Sequence, residues 1–406
     1  MTKLSIGLIR EGKVPIDRRV PLAPQSARRI MDEFPEVEIF CQSSEIRAYT
    51  DQEYQDQGIK VVQEVDHCDV LLGVKEVPMD QLIPHKTYFF FSHTIKKQAY
   101  NRELLRHILQ QNITLIDYEC LTDANGRRLL AFGRYAGIVG AYNSIWAYGN
   151  RYNLFSLRRA SECFDLEDLT TEFDKVQLPK IKIALTGGGR VAKGAMEVLN
   201  GMGIRHVSPG HFINRFFEDP VYTQLNSRDY NVPKHGGEFS RQEYFQSPER
   251  FQSGFAPFSR HADILIAGAF WDPRAPVLFH REDMMQPHFE IKVIADITCD
   301  IEGSIPATKR PSTVDDPLYD YNPSEDQVEP ALTDEANVTV MAVDNLPCEL
   351  PRDASKDFGN DFIEYILPSL LDGDQQDILN RATIANNGGL GTHFQYLEDY
   401  VAGTDT

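Results

Sequence analysis

IALTGGGRVAKGA, residues 183–195, joins an apolar run to a cluster of three glycines and then to a helix-compatible segment reaching about Met202. Gly187, Gly189 and Ala192 fit the spacing GxGxx[G/A] in the turn between strand and helix. Small residues there let backbone amides approach a pyrophosphate at the helix start. Gly187, Gly188, Gly189, Arg190, Val191 and Ala192 are therefore the expected cofactor cradle. The competing reading is a glycine-rich turn without a ligand, and the strand-turn-helix context favours the dinucleotide. An NAD site usually carries an acid about 20 residues further on. That region, HVSPGHFINR from His206, has none. Ser208, with His211 and Arg215, is expected to accommodate a 2′-phosphate, so the cofactor is NADP or NAD with NADP favoured; a solvated surface loop is the alternative.

Outward from this turn the chain reads as α/β. Before it, LSIGLIR, VEIFCQ, Val65–Lys75, TYFFFSH and ITLIDYE are short apolar runs alternating with helices at about 23–33 and 101–111. That alternation predicts a parallel sheet. YAGIVGAYNSIWAYGNR, residues 135–151, carries small and aromatic residues at helical spacing and reads as a buried connecting helix. The resulting division is a first α/β domain over 1–134, the helix at 135–151, a dinucleotide-binding domain over 152–325, and a segment from 326 to 406 returning to the first domain. Residues 214–260 read as a long polar insert, a lid or packing arm.

The 406 residues carry 60 acids and 41 Lys plus Arg, a net charge of −19. This argues against a nucleic-acid or anionic-membrane surface. The excess is local: residues 301–406 hold 21 acids and 5 bases, leaving −3 for residues 1–300. Six widely spaced cysteines form no CxxC pair, no metal site is expected, and no run of about 18 apolar residues occurs. A cytoplasmic protein without membrane or nucleic-acid partners is the expectation.

Polar residues at the ends of apolar strands are where α/β folds place their chemistry. Lys75 and Glu76 follow VLLGV, His93 follows YFFFS, Asp117 and Glu119 lie in LIDYE, and Asp296 and Asp300 in VIADITCD. Lysine and histidine can serve as acid and base on a carbonyl or imine, with glutamates tuning them. Arg19 and Arg128 are placed to hold carboxylates. Singly, each of these residues reads equally well as a solvated or structural group.

The strings IDRRVPLAP, LLGVKEVP, TYFFFSHTIKKQ, LIDYECLTDANGRRLLAFGRYAGIVGA, TGGGRVAKGA, IADITCDIEGSI and VDNLPCELPRDAS run through nearly the whole chain. In them the sequence resembles the alanine dehydrogenase and lysine-forming saccharopine dehydrogenase superfamily, most closely its lysine-ketoglutarate reductase branch. The resemblance implies a Rossmann domain inserted into an N- plus C-terminal substrate domain, with the active site in the cleft. It implies acid/base roles for Lys75 and His93, tuning by Glu76 and Glu119, and substrate binding by Arg19, Arg128 and Asp300. The implied reaction is NAD(P)H-dependent condensation of lysine or a similar amine with 2-oxoglutarate to saccharopine, or its reverse. An alanine or other amino-acid or opine dehydrogenase, and a non-catalytic or transhydrogenase-like nucleotide-binding module, are the alternatives. Because the reductase is ordinarily fused to a saccharopine-oxidising domain, a separate saccharopine-oxidising enzyme is the expected partner, and homodimerisation is left open.

Overall fold

A computed structural model describes residues 3–404. They form two compact units, one of residues 3–132 with 351–404 and one of residues 133–350. The first is built on β1 (Leu4–Leu8), β2 (Val37–Gln42), β3 (Lys60–Val62), β4 (Val70–Leu72), β5 (Thr87–Phe90) and β6 (Thr114–Asp117). These strands are parallel and lie in the order β6-β5-β4-β1-β2-β3. Helices α1 (Pro24–Glu33) and α2 (Arg102–Gln110) each carry one apolar stripe, and Ile30, Leu105 and Ile108 are fully buried. With both faces covered, the strands read as continuous apolar runs rather than alternating ones, which is why they are legible in the sequence. Thr383–Asn386, antiparallel to β6, and Gly389–Leu390 extend the sheet from the far end of the chain.

The second unit opens with helix α3 (Gly133–Arg151), buried along most of its length. Its sheet contains β7 (Lys182–Thr186), β8 (Arg205–His206), β9 (Val221–Leu225), β10 (Ile264–Ala267), β11 (Val293–Asp296), β12 (Leu318–Asn322), β13 (Gln327–Glu329) and β14 (Val338–Met341). The order is β13-β12-β14-β11-β10-β7-β9-β8, parallel except at β12 and β13. Helix α4 (Arg190–Gly201) follows β7 and packs against α3.

Three features differ from the sequence expectation. The segment 214–260 is not wholly an insert: Val221–Leu225 is a sheet strand lying directly against β7. The remainder carries an antiparallel hairpin of Asn231–Pro233 and Phe251–Ser253, and its Tyr230, Phe255 and Phe258 are buried in the core of the second unit. The chain returns to the first unit at Pro351 rather than 326, because β14 pairs with β11 and keeps residues 338–341 in the second sheet. Helix α3 is part of the second unit rather than a connector. An added Cβ on Gly137 would stand 1.8 Å from the Val191 carbonyl oxygen, and one on Gly194 would stand 2.0 Å from that of Arg134. Backbone therefore meets backbone where α3 crosses α4, and no side chain fits.

That contact yields a prediction. Gly137→Ala and Gly194→Ala should each destabilise the second unit by about 3 kcal/mol or more, since nothing flexible can yield. Gly189→Ala, whose added Cβ meets nothing within 4 Å, should stay within about 1 kcal/mol of the parent. Thermal and urea unfolding of the three variants check this ordering.

Candidate active site

Parallel pairing brings the C-terminal ends of β1, β4, β5 and β6 side by side, so residues far apart in sequence converge there. Glu76, after β4, is 9% exposed and binds two side chains at once. Its Oε1 lies 2.6 Å from His93 Nδ1, and its Oε2 accepts Lys13 Nζ at 2.5 Å. Burial works to raise this carboxyl, but the hydrogen bonds from His93 and Lys13 outweigh it and hold the pKa at about 2. An ionised Glu76 accepts only, so Nδ1 is the nitrogen that donates to it, and Nε2 points away from this bond.

The histidine is placed by its neighbours. His93 has a left-handed backbone, φ +53°. Just before it, Ser92 donates both its amide, at 2.9 Å, and its hydroxyl, at 2.5 Å, to Asp117 Oδ2. The other Asp117 oxygen accepts the Glu119 amide at 2.7 Å. Burial pushes this carboxyl upward and these donors oppose the shift. One buried carboxylate thus sets both the His93 turn and the backbone of Glu119. Arg128 donates to Glu119 Oε1 at 2.6 Å, while Glu119 Oε2 is buried without a hydrogen-bond partner among the described residues.

Arg19 is 3% exposed and is gripped by Asp17 through Nε at 3.0 Å and an η nitrogen at 2.6 Å. Although burial works against it, the guanidinium keeps the Asp17 carboxyl well below the ordinary range. The guanidinium carbon sits 4.1 Å from the Phe132 ring centre, and Phe132 stacks on Phe358 at 4.5 Å. Phe358 belongs to helix α5 (Pro351–Asp361), so both chain segments of the first unit build the bed of this arginine. Lys75 is partly buried beside Asp17, and its amide donates to Glu11 Oε2.

In the second unit the glycine loop closes β7. Gly187 has φ +102°, and an added Cβ would stand 2.9 Å from the Gly268 carbonyl oxygen, so only glycine fits. Gly188 faces Asn226, while Gly189 begins α4 with no side-chain cap. Arg190 and Val191 open the helix, and Ala192 is fully buried beneath it. The cradle is further fixed by Gln224, whose Nε2 donates to the Gly187 carbonyl at 2.6 Å.

Ser208 stands elsewhere. It follows edge strand β8 and caps the next short helix, accepting the His211 amide at 3.4 Å. Because β9 separates β8 from β7, the turn beside the glycine loop is Asn226–Asp229 rather than the one at Ser208. Its acid, Asp229, is turned back onto the Asn226 amide at 2.7 Å, whereas the Arg228 side chain is 72% exposed. Sequence reading missed Gln224, Asn226 and Arg228 because VYTQL lies among Tyr, Phe and Ser residues that hide a strand. Asp300 is exposed in the loop after β11, and Asp296 is spent on Thr298 and Thr308. Lys75, Glu76, His93, Glu119, Arg19 and Arg128 thus share the first unit, and Gly187–Ala192, Ser208 and Asp300 the second. Among the described residues no group of three or more His, Cys, Asp or Glu is arranged to hold a metal, and no helix is long and apolar enough to cross a membrane.

A strand-end acid/base cluster on one α/β unit and a glycine-loop Rossmann sheet on another define a two-unit dinucleotide-site architecture. The model of the alanine dehydrogenase/PNT N-terminal domain matches residues 7–139, and that of the C-terminal domain matches residues 169–393, so the chain belongs to the alanine dehydrogenase/PNT family. It is 30% identical to the mitochondrial alpha-aminoadipic semialdehyde synthase of Bos taurus over 98% of this chain and 48% of that protein. With the Arabidopsis thaliana alpha-aminoadipic semialdehyde synthase the identity is 28%, over 97% of this chain and 41% of that protein. The chain spans less than half the length of these two relatives. With the NAD(+), L-lysine-forming saccharopine dehydrogenase of Yarrowia lipolytica the identity is 27%, over 91% of this chain and 92% of that one. An L-alanine dehydrogenase structure shares the fold with a TM-score of 0.64 at 18% identity, covering 99% of this chain and all of that one.

The Glu76 cluster carries a signed prediction. Its folded pKa of about 2 lies below the ordinary 4.5, so its stabilisation is complete above pH 4.5 and disappears as the pH falls toward 2. Glu76→Gln should therefore cost about 3 kcal/mol at pH 7, a deficit that shrinks between pH 5 and pH 3. Urea unfolding at pH 7, 5 and 3 measures it, and a deficit independent of pH contradicts the assignment.

Proposed function

We propose that this protein is an NADPH-dependent oxidoreductase that condenses the ε-amine of L-lysine with 2-oxoglutarate to give saccharopine, and catalyses the reverse oxidation. The observation that carries the proposal is the pairing of His93 with ionised Glu76 beside Lys75, on the unit that also carries Arg19, Arg128 and the buried Glu119 Oε2, which has no hydrogen-bond partner among the described residues. The relatives named for saccharopine and aminoadipic semialdehyde chemistry align along nearly the whole chain, which supports the same substrate class here.

The chemistry follows from these groups. Arg19 and Arg128 offer guanidinium partners to the carboxylates of an oxo-dicarboxylic acid. Glu119 Oε2, a buried acceptor lacking a donor, suits a substrate ammonium group. Attack of the amine on the keto carbon needs one proton removed from nitrogen and one delivered to oxygen. Loss of water from the carbinolamine then needs a second delivery to the leaving hydroxyl. His93 Nε2 and the Lys75 amine are the groups assigned to these transfers, with Glu76 fixing the imidazole tautomer. A reduced nicotinamide cofactor supplies the hydride that converts the imine to the secondary amine.

The residues of the second unit fit that cofactor. Gly187 to Ala192 form a strand-to-helix turn in which Gly187 admits no side chain and Gly189 leaves open space at the helix start, which suits the approach of a pyrophosphate. Beside it the turn at Asn226–Asp229 presents an exposed arginine and no outward acid. Arginine in that place suits a 2′-phosphate, whereas an acid would suit the bare ribose hydroxyl of NAD. Arg228 is thus the residue to which we assign NADPH preference.

Two experiments test the proposal. NADPH oxidation is measured with 2-oxoglutarate and lysine, ornithine or ammonia, and with pyruvate plus ammonia. Lysine-dependent turnover is expected, falling by about 100-fold or more in Lys75→Met and His93→Gln. Turnover with pyruvate and ammonia alone would replace the substrate assignment, and unaltered rates in both variants would remove the catalytic roles. Separately, Arg228→Ala should raise KM for NADPH by about 10- to 100-fold, through loss of a charged hydrogen bond, while leaving KM for NADH unchanged.

A further inference from the structure

Glu11 belongs to no part of the mechanism above, yet it touches the segment that presents Lys75. It lies just beyond β1, and each of its carboxylate oxygens takes one of two consecutive amides. Val74 donates to Oε1 at 2.6 Å and Lys75 donates to Oε2 at 2.9 Å. The backbone ladder between β1 and β4 runs out here, its last bond going from the Ile9 amide to the Leu72 carbonyl at 3.0 Å. The Glu11 side chain continues that ladder for two residues in place of backbone. At Gly73 a Cβ would stand 2.8 Å from Ile9 Cδ1 and 3.5 Å from Glu11 Oε1, so the turn is pressed closely against this loop.

We infer that Glu11 is a positioning residue for Lys75, and that its two-oxygen grip on the Val74 and Lys75 amides couples the placement of the lysine amine to the charge state of the carboxyl. The inference rests on the role given to Lys75 above. A carboxylate accepts both amides; a protonated carboxyl turns one acceptor into a hydroxyl and releases one of them. Protonation also removes a negative charge from the neighbourhood of the lysine, which makes its ammonium form less favourable. The groups facing Glu11 are Asp17 and Arg19 from its own loop, Lys75 from the turn after β4, and Tyr118 from the turn after β6. Burial is the largest influence on Glu11 and raises its pKa to about 7; the two amides and Arg19 oppose the rise, and Asp17 adds to it. The carboxyl therefore changes charge in the range where an imine-forming enzyme works. Since the folded pKa lies above the ordinary 4.5, the folded carboxyl stays protonated while the unfolded chain ionises, so stability falls as the pH rises from 4.5 to 7 and levels off once the carboxylate that grips both amides has formed.

The test uses the intact protein and two readouts. Competitive acetylation of Lys75 by acetic anhydride, followed peptide by peptide by mass spectrometry from pH 5 to 9, reports the lysine without any substrate. Turnover with NADPH over the same range reports its use. In the parent, both profiles are expected to show an inflection near pH 7. Glu11→Gln, which keeps the shape but only one acceptor oxygen, should abolish that inflection and lower kcat about tenfold or more with KM for NADPH unchanged. Glu11→Asp should recover part of the inflection. An inflection that persists unmoved in Glu11→Gln, or unchanged Lys75 reactivity and kcat, overturns the inference. If no amine donor supports turnover, the proposed reaction fails while acetylation still decides the role of Glu11. Should the Gln variant fail to fold, a carboxyl-carbon NMR titration of the glutamate-labelled parent decides instead, and absence of any glutamate titrating near 7 overturns the inference.

Discussion

A carboxylate taken out of water has to be met by donors, and the first unit is organised by that constraint. Glu11 and Glu76 follow two parallel strands and Asp117 ends a third, and each reaches across to a neighbouring strand end rather than to solvent. Glu11 grips the amides before and at Lys75, Glu76 collects Lys13 and His93, and Asp117 ties the Ser92 turn to Glu119. Parallel strands leave their last amides unpaired at the same edge, and these acids take several of them up. The result is a set of strand ends held by charge-assisted hydrogen bonds, with an imidazole and an amine supported from behind. Removing one partner of such a group leaves the other buried and unpaired, which is costly.

The second unit depends on a different constraint, the bare approach of two helices. Gly137 and Gly194 place the backbones of α3 and α4 closer together than any side chain permits. Because α4 is also the helix that the glycine loop opens, this packing fixes where its first amides point. Gly187 meets Gly268 and is held by Gln224, so the loop is braced from the neighbouring strands as well. The loop is packed at Gly187 and Gly188 and open at Gly189.

Much of this was legible in the sequence because parallel strands buried on both faces are continuous apolar runs. LSIGLIR, VEIFCQ, TYFFFSH and ITLIDYE correspond to β1, β2, β5 and β6, and IALTGGG to β7 and its turn. Lys75, His93 and Glu119 were visible as polar residues ending such runs. VYTQL was not recognised: a polar Gln in a five-residue strand, surrounded by aromatic and Ser-rich loops, gives no periodic signal. With that strand unseen, Ser208 reads as the turn next to the glycine loop, whereas it follows β8, one strand further from β7. The return to the first unit was likewise expected too early, since the pairing of β14 with β11 is a non-local fact.

By itself the sequence determined the α/β class, the glycine turn and the residue types available for acid/base and carboxylate-binding work, because those follow from local period and composition. Tertiary structure alone decided which strand lies beside β7, and so which turn faces the glycine loop. It also decided that Glu76 holds both Lys13 and His93, that Asp117 serves two turns, and that Glu11 grips the Lys75 segment. The physical reason is that strand order and side-chain hydrogen bonds between strand ends are set by packing across the sheet. A local pattern records that an apolar run is a strand, but not its neighbours.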